Sequence, residues 1–269
     1  MVIFLFTVRQ WLLHRWIVAY VILLTATSLF IFYVAFLGLL FVQPEYYGRV
    51  AVASINASIF LVSLLSLLLG SFIFHDDRDT GLLEWFLSRP VSARGYLVQR
   101  WGGVVVSVAA ATIVAFIIAY LASGLLFGIF FSQLIYLGLW LAVLVASLSS
   151  LGGVIALFLP DKTTSITAGF LIWLVLNIVW GIVVFALGIG LSETELYITY
   201  ILNPVEATRF MALYTIDPNL SFMNPITAAS LLLSLGALTY VLPVATLTAP
   251  IAVFLTLAHV KYTNLLKKI

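Results

Sequence analysis

The sequence predicts an all-α, polytopic membrane protein, and three observations lead to that prediction. The chain of 269 residues is 64% hydrophobic and only 8% charged, whereas soluble domains carry roughly 25% charged residues. Its mean hydropathy is +1.22. Six apolar runs each exceed the length of about 20 residues that a helix needs to cross a bilayer. We therefore expect a single membrane-embedded domain over residues 1–269, with six transmembrane helices.

The six predicted spans cover residues 17–42, 50–74, 101–123, 134–159, 165–190 and 227–258. Before the first span, residues 1–16 alternate apolar blocks with Arg9 and Arg15, and Trp11 and Trp16 suit a headgroup boundary. This pattern is typical of a short helix that lies in the membrane interface. The alternative is that residues 1–16 form the hydrated end of the first span.

With six spans, the basic residues divide unequally between the two sides of the membrane. One side receives ten of them: Arg9, Arg15, Arg78, Arg89, Arg94, Arg100, Lys162, Lys261, Lys267 and Lys268. The other side receives Arg49 and Arg209. By the positive-inside rule, both termini and the segment 75–100 are expected to be cytoplasmic.

Segment 75–100 is a polar stretch between two apolar runs. It holds eight of the 22 acidic and basic side chains of the chain: Asp76, Asp77, Arg78, Asp79, Glu84, Arg89, Arg94 and Arg100. One such charge at the centre of a bilayer costs about 2.5–3.5 kcal/mol. The segment is therefore expected to lie in water. Its charges sum to zero, which favours a protein partner over an acidic lipid surface.

From Thr80 onward the spacing of apolar residues becomes helical. Leu82, Trp85 and Phe86 follow the i, i+3, i+4 pattern and share one face. Thr80 can cap the start of this helix, and Pro90 disfavours its continuation. The sequence thus predicts a short helix that presents Trp85 and Phe86, either to a groove of a partner protein or to lipid.

Segment 191–226, between the fifth and sixth spans, contains two helix-start patterns. Ser192 and Glu195 have the spacing of a capping box. Asn203, Pro204 and Glu206 supply a cap, a proline at the first helical position and a carboxylate in the first turn. After them an apolar stripe is formed by Ala207, Phe210, Met211 and Tyr214. We expect two short amphipathic helices on the outer surface, as a structured loop on the membrane or as a lid over a pathway.

Two stretches resemble known proteins. Residues 79–94 resemble the cytoplasmic signature between the second and third spans of type-2 ABC exporter permeases. The matching positions are Gly81, Leu82, Glu84, Leu87, Pro90, Val91, Ser92 and Arg94. Residues 203–209 resemble the Asn-Pro-x-Glu-x-x-Arg stretch of the subgroup that serves nitrous-oxide reductase maturation.

The resemblance implies a permease subunit of a prokaryotic plasma membrane that couples ATP hydrolysis by a separate cytoplasmic subunit to export or signalling. It implies a coupling helix with the residues Thr80, Gly81, Leu82, Glu84, Trp85, Phe86, Pro90 and Arg94. It also implies an extracytoplasmic lid with the residues Ser192, Glu195, Asn203, Pro204, Glu206 and Arg209. The expected partners are the ATP-binding subunit, a second copy of this chain, the lipid bilayer and, for copper-enzyme maturation, an extracytoplasmic accessory protein; nucleic acid is not expected.

No phosphate-binding loop motif occurs in the sequence. ATP and Mg²⁺ are therefore expected in the partner subunit, and we expect no catalytic residue, cofactor or metal in this chain. The alternative function is that of a stand-alone secondary transporter or membrane scaffold with no ATPase partner. Since no predicted span holds an ionisable Asp, Glu, Lys or Arg away from its ends, ion-coupled transport is disfavoured.

Overall fold

The computed structural model describes residues 2–12, 14–39, 46–88, 92–127, 133–187, 190–216 and 235–265. The described residues are almost entirely helical, and no β-strand occurs among them. Six helical segments are long and apolar enough to cross a membrane. Among the described residues, the prediction of an all-α protein with six helices able to span a membrane is therefore confirmed.

The helices follow one another as α1 Val2–Leu12, α2 Arg15–Leu39, α3 Tyr46–Asp79, α4 Leu82–Leu87, α5 Ala93–Phe127, α6 Gln133–Phe158, α7 Lys162–Leu174, α8 Trp180–Leu187, α9 Glu193–Ile201, α10 Pro204–Ile216 and α11 Leu238–Leu265. A π-helical turn, Val175–Val179, joins α7 and α8 into one continuous span. The other spans are α2, α3, α5, α6 and α11.

Two of the spans extend further into the polar segment 75–100 than the sequence predicted. Helix α3 continues past residue 74 to Asp79, and α5 begins at Ala93 instead of residue 101. At the start of α5, the hydroxyl of Ser92 accepts a hydrogen bond from Gly95 N at 3.1 Å. A polar sequence can continue a helix once it leaves the bilayer, because its side chains find partners there.

Helices α3 and α6 cross at the centre of the bundle, where small residues bring their backbones together. A Cβ atom on Gly70 would lie 2.3 Å from the backbone oxygen of Ser149, and one on Gly152 would lie 2.4 Å from that of Leu67. The Ser149 hydroxyl donates a hydrogen bond to the carbonyl of Ser66 at 3.2 Å. Small residues and short hydroxyl side chains are typical of tightly packed membrane helices.

The span formed by α7 and α8 lies at the edge of the bundle. Within its most apolar stretch, only 11% of the residues are buried inside the chain. Its exposed side chains are apolar, and the largest are Phe170, Leu171, Ile182 and Phe185. Such a face is suited to contact with lipid or with another membrane protein.

Helix α10 corrects one prediction, because it does not lie on the surface as an amphipathic helix. Val205, Ala207, Thr208 and Ala212 are all buried, and so is the carboxylate-bearing Glu206. The helix packs against α3, α6 and α11. These three helices bury residues beyond the predicted apolar stripe of α10. It lies toward the start of α6, where Trp140 Nε1 donates a hydrogen bond to Thr215 Oγ1 at 2.9 Å.

Candidate functional site

A buried ion pair lies at the end of the bundle where α3, α4 and α5 meet. Asp77 on α3 and Arg100 on α5 are 0% and 1% exposed. Arg100 binds the carboxylate through two bonds, Nε to Oδ2 at 2.7 Å and Nη2 to Oδ1 at 2.5 Å. The hydroxyl of Tyr96 donates a further hydrogen bond to Oδ2 of Asp77. The two oxygens of the carboxylate are thus fully partnered, as a buried charge requires.

The same arginine reaches the N-terminal helix. Its Nη1 atom donates to Thr7 Oγ1 at 3.1 Å and to Gln10 Oε1 at 2.8 Å, both on α1. Thr7 in turn donates to the carbonyl of Ile3 at 2.8 Å. One guanidinium group therefore joins α1, α3 and α5.

The residues on either side of Asp77 contact the start of α7 and the connection that precedes it. His75 Nε2 lies 2.9 Å from the hydroxyl of Ser165, and the carboxylate of Asp76 lies 2.6 Å from Lys162 Nζ. Arg78 Nη1 donates to the carbonyl of Pro160 at 3.4 Å. Residues 75–78, which we call the α3 clamp, thus tie the end of α3 to α1, α5 and α7.

Asp161 fixes the first turn of α7 beside the α3 clamp. Its carboxylate accepts hydrogen bonds from the backbone N–H of Thr164 at 2.8 Å and from the hydroxyl of Thr164 at 2.7 Å. These bonds, the backbone one above all, hold the pKa of Asp161 below its ordinary value. The first turn of α7, which bears Lys162, therefore has a defined conformation.

The prediction that the whole of segment 75–100 lies in water is wrong for Asp77 and Arg100. The two charges are buried in protein, where the bidentate pair and its neighbours replace the water that each group loses. Glu84 and Arg94 are exposed, as predicted. Pro90, another predicted coupling residue, lies outside the described residues.

The start of α4 differs from the prediction, because Thr80 does not cap it. The Thr80 hydroxyl donates backward to the carbonyl of Asp76 at 2.7 Å, which closes the end of α3. Gly81 occupies the cap position of α4, with φ 73° and ψ 3°. This left-handed conformation costs glycine little and other residues more. Gly81 therefore makes the sharp turn between α3 and α4.

The two aromatic residues of α4 differ in their exposure to solvent. Phe86 is 2% exposed, and its ring lies 5.7 Å from that of Phe6 and 5.8 Å from that of Tyr96. Trp85 is 47% exposed. The predicted presentation of both aromatic residues is therefore wrong for Phe86, because α1 and α5 cover it. Trp85 and Leu82 line an open depression together with Phe6, Thr80 and Gly81.

At the opposite end of the bundle, α9 begins with a complete capping box. Ser192 Oγ accepts from Glu195 N at 3.4 Å, and Glu195 Oε2 accepts from Ser192 N at 2.9 Å. The bond from the Ser192 backbone is the main cause that holds the pKa of Glu195 below its ordinary value. The predicted capping box is confirmed.

Asn203 joins the connection between α9 and α10 to the π-helical turn. Its Oδ1 atom accepts a hydrogen bond from Val205 N at 2.9 Å, so it caps α10 as predicted. Its Nδ2 atom donates to the carbonyl of Leu176 at 2.6 Å. A π turn leaves backbone groups out of the regular helical pattern, and Asn203 supplies a partner for one of them. No sequence pattern indicated this contact.

The predicted lid residues Glu206 and Arg209 form an ion pair on α10. Glu206 is 4% exposed, and Tyr200 on α9 interacts with both members of the pair. Burial raises the pKa of the Tyr200 phenol above its ordinary value. Pro204 is buried at the first position of α10. The predicted lid residues of α10 therefore lie where this helix packs against its neighbours.

Asn203→Ala is expected to destabilise the protein by about 1–2 kcal/mol, since α10 loses its cap and the Leu176 carbonyl loses its donor. Thermal unfolding of the purified chain in detergent measures the change. Ser192→Ala removes a cap from the exposed helix α9 and should cost less. Equal losses for the two variants would show that the bond to the π turn contributes nothing.

No protein-family model matches this chain, and a comparison with curated proteins finds no match.

Proposed function

We propose that this chain is the permease subunit of an ABC-type transporter and that a separate cytoplasmic ATP-binding subunit docks on α4. ATP and Mg²⁺ bind in that partner. One observation supports this function above the others. The exposed side chain of Trp85 stands on a six-residue helix that is packed onto α1 and α5 through the neighbouring residue Phe86. A large exposed aromatic residue on a rigid base is a typical anchor for a protein partner.

The structure below α4 is suited to transmit a push. Phe86 contacts Tyr96, whose hydroxyl is bonded to Asp77, and Asp77 is bonded to Arg100. A displacement of α4 therefore acts on the ends of α3 and α5 and, through Thr7, on α1. The contacts of His75 and Asp76 carry it on to α7. In this mechanism, closure of two ATP-binding subunits moves these helices together.

In this proposal the clamp end of the bundle faces the cytoplasm of a prokaryotic cell, because most of the basic residues lie there. The lid, which comprises α9 and α10, then faces outside and contacts the moving span through Asn203. It controls an export pathway or signals to an extracytoplasmic accessory protein in copper-enzyme maturation. A second copy of the chain packs on the apolar face of α7 and α8, so that each ATP-binding subunit has one α4 to act on.

The combined substitution Glu84→Arg, Trp85→Ala is expected to reduce copurification of the ATP-binding subunit at least tenfold. An anchoring tryptophan contributes about 2 kcal/mol or more, and 1.4 kcal/mol corresponds to a factor of ten. The measurement is affinity purification of the tagged full-length chain from native membranes in mild detergent, followed by mass spectrometry of the bound proteins and an ATPase assay.

Phe158→Ala is the matched control. Phe158 lies at the same end of the bundle and is 58% exposed, but it belongs to α6. The control should retain the ATP-binding protein at the wild-type level. If wild type retains none, or if the α4 variant retains as much as wild type, the proposed function is contradicted.

A further inference from the structure

A cavity of about 470 Å³ opens beside the α3 clamp, between the junction of α1 and α2, helix α3 and the start of α7. We propose that it binds one anionic phospholipid of the bilayer, with the headgroup phosphate at a basic rim and an acyl chain on an apolar floor. Its lining combines charged side chains at the rim, Arg15, Asp76 and Lys162, with apolar side chains of α3 below them. Its volume lies in the range of about 300–1,000 Å³ that is usual for ligand sites.

The rim of the cavity carries an excess of positive charge. Lys162 is paired with Asp76 at 2.6 Å, and both side chains are partly exposed, at 39% and 42%. Arg15 is exposed, and within the part of the chain that the structure describes it has no ion pair. The Lys162 ammonium also lies 5.2 Å from the centre of the Phe72 ring, which holds it over the cavity wall. The rim therefore favours an anion.

The floor of the cavity is apolar and is supplied by one face of α3. Leu65, Leu68, Leu69 and Phe72 follow the i, i+3, i+4, i+7 pattern and point to the same side. A hydrated inorganic anion gains nothing from this surface, whereas an acyl chain does. Two tryptophans at the mouth, Trp11 and Trp16, are the residue type that is enriched at the headgroup level of a membrane.

The combination of a basic rim and an apolar floor selects a ligand that has both a phosphate and a hydrocarbon chain. A zwitterionic lipid offers the same chain, but its own cation offsets its phosphate. The ligand would affect the α3 clamp directly, because its phosphate would compete with the clamp residue Asp76 for Lys162. Binding of the lipid therefore acts on the contact between α3 and α7, whether or not an ATP-binding subunit docks on α4.

Native mass spectrometry of the full-length protein tests the proposal. The protein is titrated with phosphatidylglycerol and, separately, with phosphatidylcholine of the same acyl chains. One phosphatidylglycerol per chain should bind, at least about tenfold more tightly than phosphatidylcholine. Arg15→Gln should weaken phosphatidylglycerol binding about fivefold and leave phosphatidylcholine unchanged. Leu65→Trp, which fills the floor, should weaken both lipids.

Arg94→Gln is the matched control, because Arg94 is an exposed arginine at the same end of the bundle and does not line the cavity. It should bind phosphatidylglycerol as wild type does. Equal binding of the two lipids, or equal loss in Arg94→Gln and Arg15→Gln, would overturn the proposal. Displacement of the lipid by millimolar inorganic phosphate would show a free-anion site instead. A lipid-free dimer whose second copy protects the cavity from labelling would also overturn it.

Discussion

Replacing Asp77 with alanine should destabilise the protein by about 3–5 kcal/mol, because it leaves the buried guanidinium of Arg100 without its counter-charge. Arg100 is 1% exposed and cannot turn to water without opening the α3 clamp. Thr7 and Gln10 still accept from its Nη1 atom, but neither carries a charge. The Tyr96 hydroxyl also loses its acceptor. The free energy of unfolding of the full-length chain in detergent micelles measures the loss.

The adjacent residue provides the matched control. Asp76→Ala removes a carboxylate from the same turn of α3, but its ion pair with Lys162 is about 40% exposed, and such pairs contribute less than about 1 kcal/mol. Similar losses for Asp76→Ala and Asp77→Ala would contradict a central role for the buried pair.

A second comparison separates the missing charge from the missing contacts. The double variant Asp77→Leu, Arg100→Met replaces both charges by apolar side chains of similar size. It should recover most of the stability that Asp77→Ala loses, since no orphan charge remains. It should not recover the transmission of motion from α4 to α1, measured as the ATP-dependent change in a spin-label distance between the two helices, if the buried charges are what joins them. Recovery of both stability and transmission would mean that packing alone makes the link.

The sequence predicts the six spans well because hydropathy and length are local properties. An apolar run of sufficient length has few alternatives to a helix in a bilayer. The two caps at Ser192 and Asn203 are predictable for the same reason, since a cap depends on residues within one turn. The ends of α3 and α5 are less predictable, because their polar extensions carry no hydropathy signal.

The buried ion pair is beyond such local patterns. Asp76, Asp77 and Asp79 are the same residue type on one helix end, and only the packing of α5 against α3 shows that Asp77 alone among them is fully buried. One signal was present in the sequence. Arg100 borders a long apolar run, where a charge usually has a buried partner. With residue 101 as the predicted start of the third span, Arg100 is expected in water instead.

The directions of Phe86 and α10 depend on tertiary contacts in the same way. Phe86 and Trp85 are neighbours in a helix of six residues. The spacing of apolar residues does not predict which of the two is buried by α1. The burial of α10 requires a gap between α3, α6 and α11. The π turn that Asn203 contacts contains Asn177, but one asparagine within an otherwise apolar stretch does not specify a π turn. These features arise from packing between elements distant in sequence.

Gly70→Ala should destabilise the protein by about 3 kcal/mol, at the upper end of the usual cost of overpacking. The added methyl group would lie 2.3 Å from the backbone oxygen of Ser149 and 2.9 Å from its carbonyl carbon. Backbone atoms cannot rotate away as a side chain can, so α3 and α6 must move apart along their crossing. Thermal unfolding of the purified chain in detergent measures the loss.

Gly181→Ala is the matched control, because a Cβ atom at that position of α8 meets no atom within 4 Å. It should be neutral or slightly stabilising, since alanine favours a helix by about 1 kcal/mol relative to glycine. Ser149→Gly combined with Gly70→Ala should not restore stability, because the obstructing atoms belong to the backbone of Ser149. Rescue by that second substitution would show that the side chain is the obstacle.

The same pair of variants bears on how motion passes through the bundle. Helix α3 can carry a displacement from α4 only if neighbouring helices keep it from bending. In the core, its contact with α6 has this effect. If Gly70→Ala is destabilised and Gly181→Ala is not, the result agrees with tight packing of α3 against α6. A fully tolerated Gly70→Ala would mean that α3 and α6 separate easily. Helix α3 could then shift without moving α6, and the clamp would act on α1, α5 and α7 alone.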